Sequence, residues 1–107
     1  MLQYAMEHQE LVESFKKVVV IDGKKILLTV LADQVYAILD QCSHLGASLN
    51  KGLIEQKSVT CKAHGAKFDL QSGDVLDKAH IGFIKIPTKK TVTFKTKVEN
   101  GKVYIDL

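Results

Sequence analysis

Apolar side chains recur at every second position through much of this chain, the period of a strand buried on one face. The clearest case is C-terminal. Val92, Phe94, Thr96 and Val98 fall on one face of a predicted strand, and Thr93, Lys95 and Lys97 on the other. Asn100-Gly101 follows, and then Val103, Ile105 and Leu107 alternate with Lys102, Tyr104 and Asp106. Two alternating runs about an Asn-Gly pair predict a β-hairpin. Earlier, Phe15 to Ile21, Lys24 to Leu31 and Gln34 to Leu39 predict a three-strand meander with turns at Asp22-Gly23 and Ala32-Asp33. Leu2 to Met6 reads as a short edge strand, and Glu7 to Ser14 as a turn or one helical turn pinned to the core by Leu11 and Val12.

The period fails in the middle of the chain. Ser43 to Gln56 has Gly, Ser and Asn but no clear repeat, with Leu49, Leu53 and Ile54 as its candidate core. Ser58 to Cys61 and Phe68 to Leu70 read as short strands, the second followed by the turn Gln71-Ser72-Gly73-Asp74. Ile81 to Ile86 is a further apolar stretch before Pro87, the sole proline. The sum predicts an all-β fold, an antiparallel β-sandwich or partial barrel. Residues 1–107 form one domain in this reading, and an irregular subdomain at about 40–75 is inserted between the third strand and the C-terminal strands.

Composition excludes several classes. A chain of 107 residues can bury a modest single core. No apolar run is long enough to span a bilayer, and Met1 to Glu10 lacks a basic region followed by an apolar one. The expectation is a soluble cytoplasmic protein with no membrane partner. The net charge of +3 comes from 15 Lys with no Arg. Bidentate recognition of phosphates and bases relies on Arg, and no Lys cluster is interleaved with aromatics. Nucleic acid is therefore not an expected partner.

The candidate chemistry sits where the period fails. Asp40 to Val75 holds both cysteines and two of the four histidines, as Cys42-Ser43-His44 and Cys61-Lys62-Ala63-His64. His8 and His80, outside that chemistry, read as surface or loop histidines. Two thiolates and two imidazoles could hold zinc, although one intervening residue in Cys-x-His is cramped for a single ion. A disulfide would use both cysteines and leave both neighbouring histidines unexplained. An iron–sulfur centre with mixed ligation would use all four groups.

The surrounding residues resemble the Rieske family. Cys42-Ser43-His44-Leu45-Gly46-Ala47-Ser48-Leu49 is similar to C-x-H-x-G-x-x-L. Cys61-Lys62-Ala63-His64-Gly65-Ala66-Lys67-Phe68-Asp69, with Gly73 beyond it, resembles C-x-x-H-G-x-x-F-D…G. The resemblance implies the Rieske fold and one [2Fe-2S] cluster per chain. Cys42 and Cys61 would hold the inner iron, and His44 and His64 the outer one. Gly46 and Gly65, lacking Cβ, would let backbone N–H groups approach the bulky core. High-potential members place Ser and Tyr two and four residues after the second ligand His, with an additional Cys in each loop. Here those positions are Ala66, Phe68, Leu45 and Ala63.

The implied protein is a low-potential ferredoxin, a monomeric one-electron carrier with no catalysis of its own. Its implied partners are a reductase and a terminal acceptor such as an oxygenase. The alternative is a non-catalytic Rieske subunit or domain of a larger enzyme, such as the small subunit of nitrite reductase or the N-terminal part of an oxygenase. Lys62 stands where many members have Pro, and Gly82 and Pro87 are the remnants of a proline-rich covering loop. Lys51, Lys62 and Lys67 form a candidate basic rim for an acidic partner.

Overall fold

A computed structural model describes residues 1–41, 48–62, 65–85 and 88–107. Strand β1 (Leu2–Glu7) runs into the helix α1 (His8–Ser14), and the meander follows as β2 (Lys16–Ile21), β3 (Lys24–Leu31) and β4 (Gln34–Leu39). A 3-10 turn at Leu49–Lys51 precedes four short strands: β5 (Leu53–Glu55), β6 (Ser58–Thr60), β7 (Lys67–Asp69) and β8 (Val75–Asp77). The small hairpin β9 (His80–Ile81) and β10 (Ile84–Lys85) comes next, then the long hairpin β11 (Thr93–Glu99) and β12 (Lys102–Asp106).

Four turns set the registers. Asp22-Gly23, Ala32-Asp33, Gln56-Lys57 and Asn100-Gly101 each put two successive residues at positive φ, the signature of a type I′ turn. Two of these turns contain no glycine. Ala32 and Asp33 are held there by Leu31 pairing with Gln34, and Gln56 and Lys57 by Glu55 pairing with Ser58. Ladder bonds outweigh the modest cost of two residues in the left-handed region.

The strands form a six-stranded sheet in the order β1-β12-β11-β4-β3-β2 and a four-stranded sheet in the order β5-β6-β7-β8. Every pairing between them is antiparallel. β11 is shared, pairing through Thr93 and Phe94 with β4 and through Lys95 to Glu99 with β12. β3 is buried on both faces. Ile26 and Leu28 join Met6, Leu11, Ala37, Val103 and Ile105 in one core. Leu27 joins Ile38, Leu49, Val59, Phe68 and Leu70 in a second core, between the two sheets. Burying Leu27 alone contributes about 1.5–3 kcal/mol. The predicted all-β architecture is the one observed, and the second core carries the strands around the candidate site.

Several apolar positions differ from expectation. Leu11 is buried but Val12 is exposed, because successive helical residues diverge by about 100° and one short helix faces the core with one stripe. Phe15 ends α1 at φ 72° instead of opening β2. The stretch without clear period contains the 3-10 turn and β5, where Leu53 is 61% exposed while Ile54 turns inward. Neighbours on a strand face opposite ways, so both could not serve one core. Ile81 to Ile86 was expected as one apolar stretch, but its described part, to Lys85, folds back at Gly82-Phe83, and Phe83 is 96% exposed. Val92 and Val98 are exposed as well, at the two ends of the shared strand.

Candidate metal centre

Of the four predicted ligands, Cys61 is among the described residues. Cys42, His44 and His64 lie outside them, as do Leu45, Gly46, Ala63 and Pro87. Cys61 follows β6, is 2% exposed and is a free thiol, which removes the disulfide reading. Its N–H donates to the Ala66 carbonyl at 2.6 Å, and the Gly65 N–H donates back to the Cys61 carbonyl at 3.0 Å. These bonds tie Cys61 to Gly65 and Ala66. Gly65 has φ +77° there, a conformation that only glycine adopts without strain.

The other ligand pair lies between two ends that are tied together. Asp40, 6% exposed at the end of β4, accepts a hydrogen bond from the Ser48 hydroxyl and another from the Asn50 N–H, both at 2.7 Å. The Asp40 N–H donates to the Lys25 carbonyl of β3 at 2.8 Å. The Asn50 carbonyl in turn accepts from the Lys16 ammonium of β2. Leu49, between these bonds, is fully buried in the second core. Gly52 then lies against the Thr60 carbonyl so closely that a Cβ would collide with it. Thr60 immediately precedes Cys61, so the end of the first loop and the start of the second meet there.

A shallow cleft of about 480 Å³ opens beside Cys61, with Lys51, Leu53, Lys62 and Gly65 among its lining. No acidic side chain lines it. Lys51 and Lys62 form no ion pair with a carboxylate among the described residues. Lys67 is not among that lining; it is half-buried in β7 and paired through its backbone with Thr60, which lines the cleft, and with Asp77. Of the predicted rim, Lys51 and Lys62 line this cleft together with the apolar Leu53.

Sequence reading missed two participants. His80 is exposed as expected, yet its ring lies over Gly65: a Cβ on Gly65 would be 2.6 Å from His80 Cε1. The β9–β10 hairpin thereby touches the second loop. It is anchored by Lys85 donating to Asp77 at 3.1 Å, and its base by the Ala79 N–H donating to the Thr88 hydroxyl at 3.0 Å. The Lys85 ammonium holds the Asp77 carboxyl below its ordinary pKa. Asp40 is the other missed residue, and nothing local in the sequence distinguishes it from a strand-end aspartate.

The F-D…G part of the motif has a structural reason. Asp69 accepts from the Gln71 and Ser72 N–H groups at 2.7 and 2.9 Å, closing the turn after β7. Burial pulls its pKa up, but the Ser72 and Gln71 donors, with Lys57 nearby, outweigh that and hold it below the usual value. Asp69 shapes the turn and does not point to ligand chemistry.

Among the described residues no cluster of three or more His, Cys, Asp or Glu occurs. The described part of the site still fits an inorganic cluster. It offers a buried free thiol on a glycine-bearing loop, beside an open cleft. No helix of the described residues is long and apolar enough to cross a membrane.

Comparison with known proteins points the same way. Residues 1–93 match the family described as the Rieske [2Fe-2S] domain. The ferredoxin component of the naphthalene 1,2-dioxygenase system of Pseudomonas putida is 29% identical over 89 residues, 83% of this chain and 79% of that protein. The ferredoxin subunit of the 3-phenylpropionate/cinnamic acid dioxygenase of Escherichia coli (strain K12) is 36% identical over 84 residues, 77% of this chain and 72% of that protein. The fold is shared with the ferredoxin of carbazole 1,9a-dioxygenase from Nocardioides aromaticivorans IC177, with TM-score 0.77, 20% identity, and coverage of 98% of this chain and 96% of that one. The terminal oxygenase of the same system gives TM-score 0.76 and 31% identity over 97% of this chain, which spans 29% of the oxygenase chain.

Proposed function

The chain belongs to the Rieske [2Fe-2S] domain family, and from that premise we propose that Cys42, His44, Cys61 and His64 hold its cluster. The protein is an electron carrier and not itself an enzyme. When bound, the cluster supplies one-electron chemistry. The protein's own part is to position and expose the ligands. Cys61, buried and free of any disulfide, is the observation that supports the ligand set.

The finer reading is a monomeric, cytoplasmic protein of one Rieske domain, residues 1–107, with the cluster-binding part at about 40–75. A reductase supplies the electron, and a terminal oxygenase accepts it, the second as the names of the ferredoxin relatives suggest. Lys51, Lys62 and Leu53, which share the cleft, suit a partner that offers acidic groups beside an apolar spot. The iron and acid-labile sulfide content of purified protein tests the core of this reading. About two of each per chain is expected. One equivalent of zinc without sulfide would overturn it.

A second reading is supported by the likeness to a stretch of an oxygenase chain: the protein is the non-catalytic Rieske part of a larger assembly. Co-purification with a stoichiometric large partner would favour it over the free carrier.

A further inference from the structure

Asp40 joins the two ends of the segment that contains Cys42 and His44. One carboxylate oxygen takes the Ser48 hydroxyl and the other takes the Asn50 N–H, both at 2.7 Å, in a setting only 6% exposed. The same aspartate is fixed to the sheet by its own N–H on the Lys25 carbonyl. Asn50 is held on its other side by Lys16, and Leu49 is locked in the second core. Bonding both ends of a segment to one buried side chain meets the entropic cost of bringing those ends together before any ligand binds. An acceptor in such a setting is also costly to remove, because two part-buried donors then lose their partner.

We propose that Asp40 is a positioning residue for the cluster. By stapling residue 40 to residues 48 and 50, it fixes the two ends of the segment that carries Cys42 and His44 before a cluster is bound. This rests on the ligand set given above. Asp40 touches no reacting atom and acts through the hydrogen bonds it accepts. Nothing in the proposal depends on a change in its protonation. The two bonds can be tested separately from the charge. Asp40→Asn keeps an oxygen for the Asn50 N–H and offers its amide to the Ser48 oxygen. Asp40→Ala removes both bonds, and Ser48→Ala removes one.

The experiment measures the rate of iron release to a chelator and the EPR signature of the reduced protein. Both are taken on holoprotein of wild type and the three variants, with thermal midpoints recorded alongside. Asp40→Ala is expected to release iron about tenfold faster or more, and Ser48→Ala about threefold faster, in keeping with the loss of bonds to a charged acceptor. The EPR lines of Asp40→Ala should broaden or shift. Asp40→Asn should stay within about threefold of wild type. If Asp40→Ala does not load, Ser48→Ala and Asp40→Asn decide alone. Release rates and EPR lines equal to wild type, with only the thermal midpoint lowered, would show a merely structural role. Asp40→Asn as fast as Asp40→Ala, or Ser48→Ala at the wild-type rate, would also overturn the staple. A wild type with no Rieske signature would overturn the ligand set and the staple together. A wild-type signature that Asp40→Ala retains unchanged overturns the staple alone.

Discussion

Ala66 and Phe68 are the side chains through which the second loop meets the interior, and both are buried in the second core. Neither can donate a hydrogen bond, so a sulfur nearby gains no stabilisation in its more negative, reduced state. The midpoint potential is therefore expected near the low end of the Rieske range, about −150 mV, by protein-film voltammetry. Ala66→Ser should raise it. Phe68→Tyr should also raise it, and where the new hydroxyl finds no partner it should destabilise by about 1–3 kcal/mol. A wild-type potential at the positive end of the range would refute this account. Asp69 sets a different expectation. Its folded-state pKa is held below the unfolded value, so its stabilisation is complete above about pH 4 and fades as pH falls through the folded pKa. Asp69→Asn should lower the unfolding free energy from urea titration at pH 7 by about 1 kcal/mol, for the weakened turn bonds. The two proteins should converge as pH falls through that range. A gap that widens in acid would contradict the sign.

At the scale of elements, the tip of the β9–β10 hairpin and the cleft beside Cys61 lie open among the described residues. Phe83 stands almost fully in solvent at the hairpin tip, while His80 at its base rests on Gly65. An exposed aromatic contributes little to folding, so Phe83→Ala should change stability by less than about 0.5 kcal/mol. If the hairpin meets the redox partner, the same change slows electron transfer measured by stopped flow. Lys62→Glu should slow it too, and the wild-type rate should fall as ionic strength rises, while the midpoint potential moves little. Rates indifferent to salt and to both substitutions would place the docking face elsewhere.

For the whole molecule, the decisive feature is that β3 divides two cores. Leu27 and Leu28 are adjacent, fully buried and chemically identical, yet Leu27 belongs with Cys61, Ala66 and Phe68, and Leu28 with Met6, Leu11 and Ile105. Leu27→Ala and Leu28→Ala should each destabilise by about 2–5 kcal/mol in denaturant titrations. Only Leu27→Ala opens space in the core that carries the second loop, so it alone should accelerate iron release at temperatures well below unfolding. Equal acceleration by both would mean that the site senses global stability and not its own core.

Much of this was legible in the sequence because the signals are local. Alternation along β11 and β12, and the Asp22-Gly23 and Asn100-Gly101 turns, depend on neighbours two to four residues away, and they folded as read. The paired Cys-x-His and Cys-x-x-His loops with their glycines carried the family and the cofactor for the same reason. Burial was different, because it depends on which face meets a partner element. Leu53 and Phe83 are as apolar as Leu49 and Phe68, but no sheet lies opposite them. The turns Ala32-Asp33 and Gln56-Lys57 hold positive φ without glycine only because the strands on either side are already paired. Asp40 reaches Ser48 and Asn50 across eight and ten residues, and His80 reaches Gly65 from a separate hairpin. Periodicity thus determined the long strands, and the motifs pointed to a Rieske cluster whose proposed ligands lie in the two Cys–His loops. The surroundings of those ligands were decided in three dimensions, because contacts across long loops form only once the sheets have brought distant residues together.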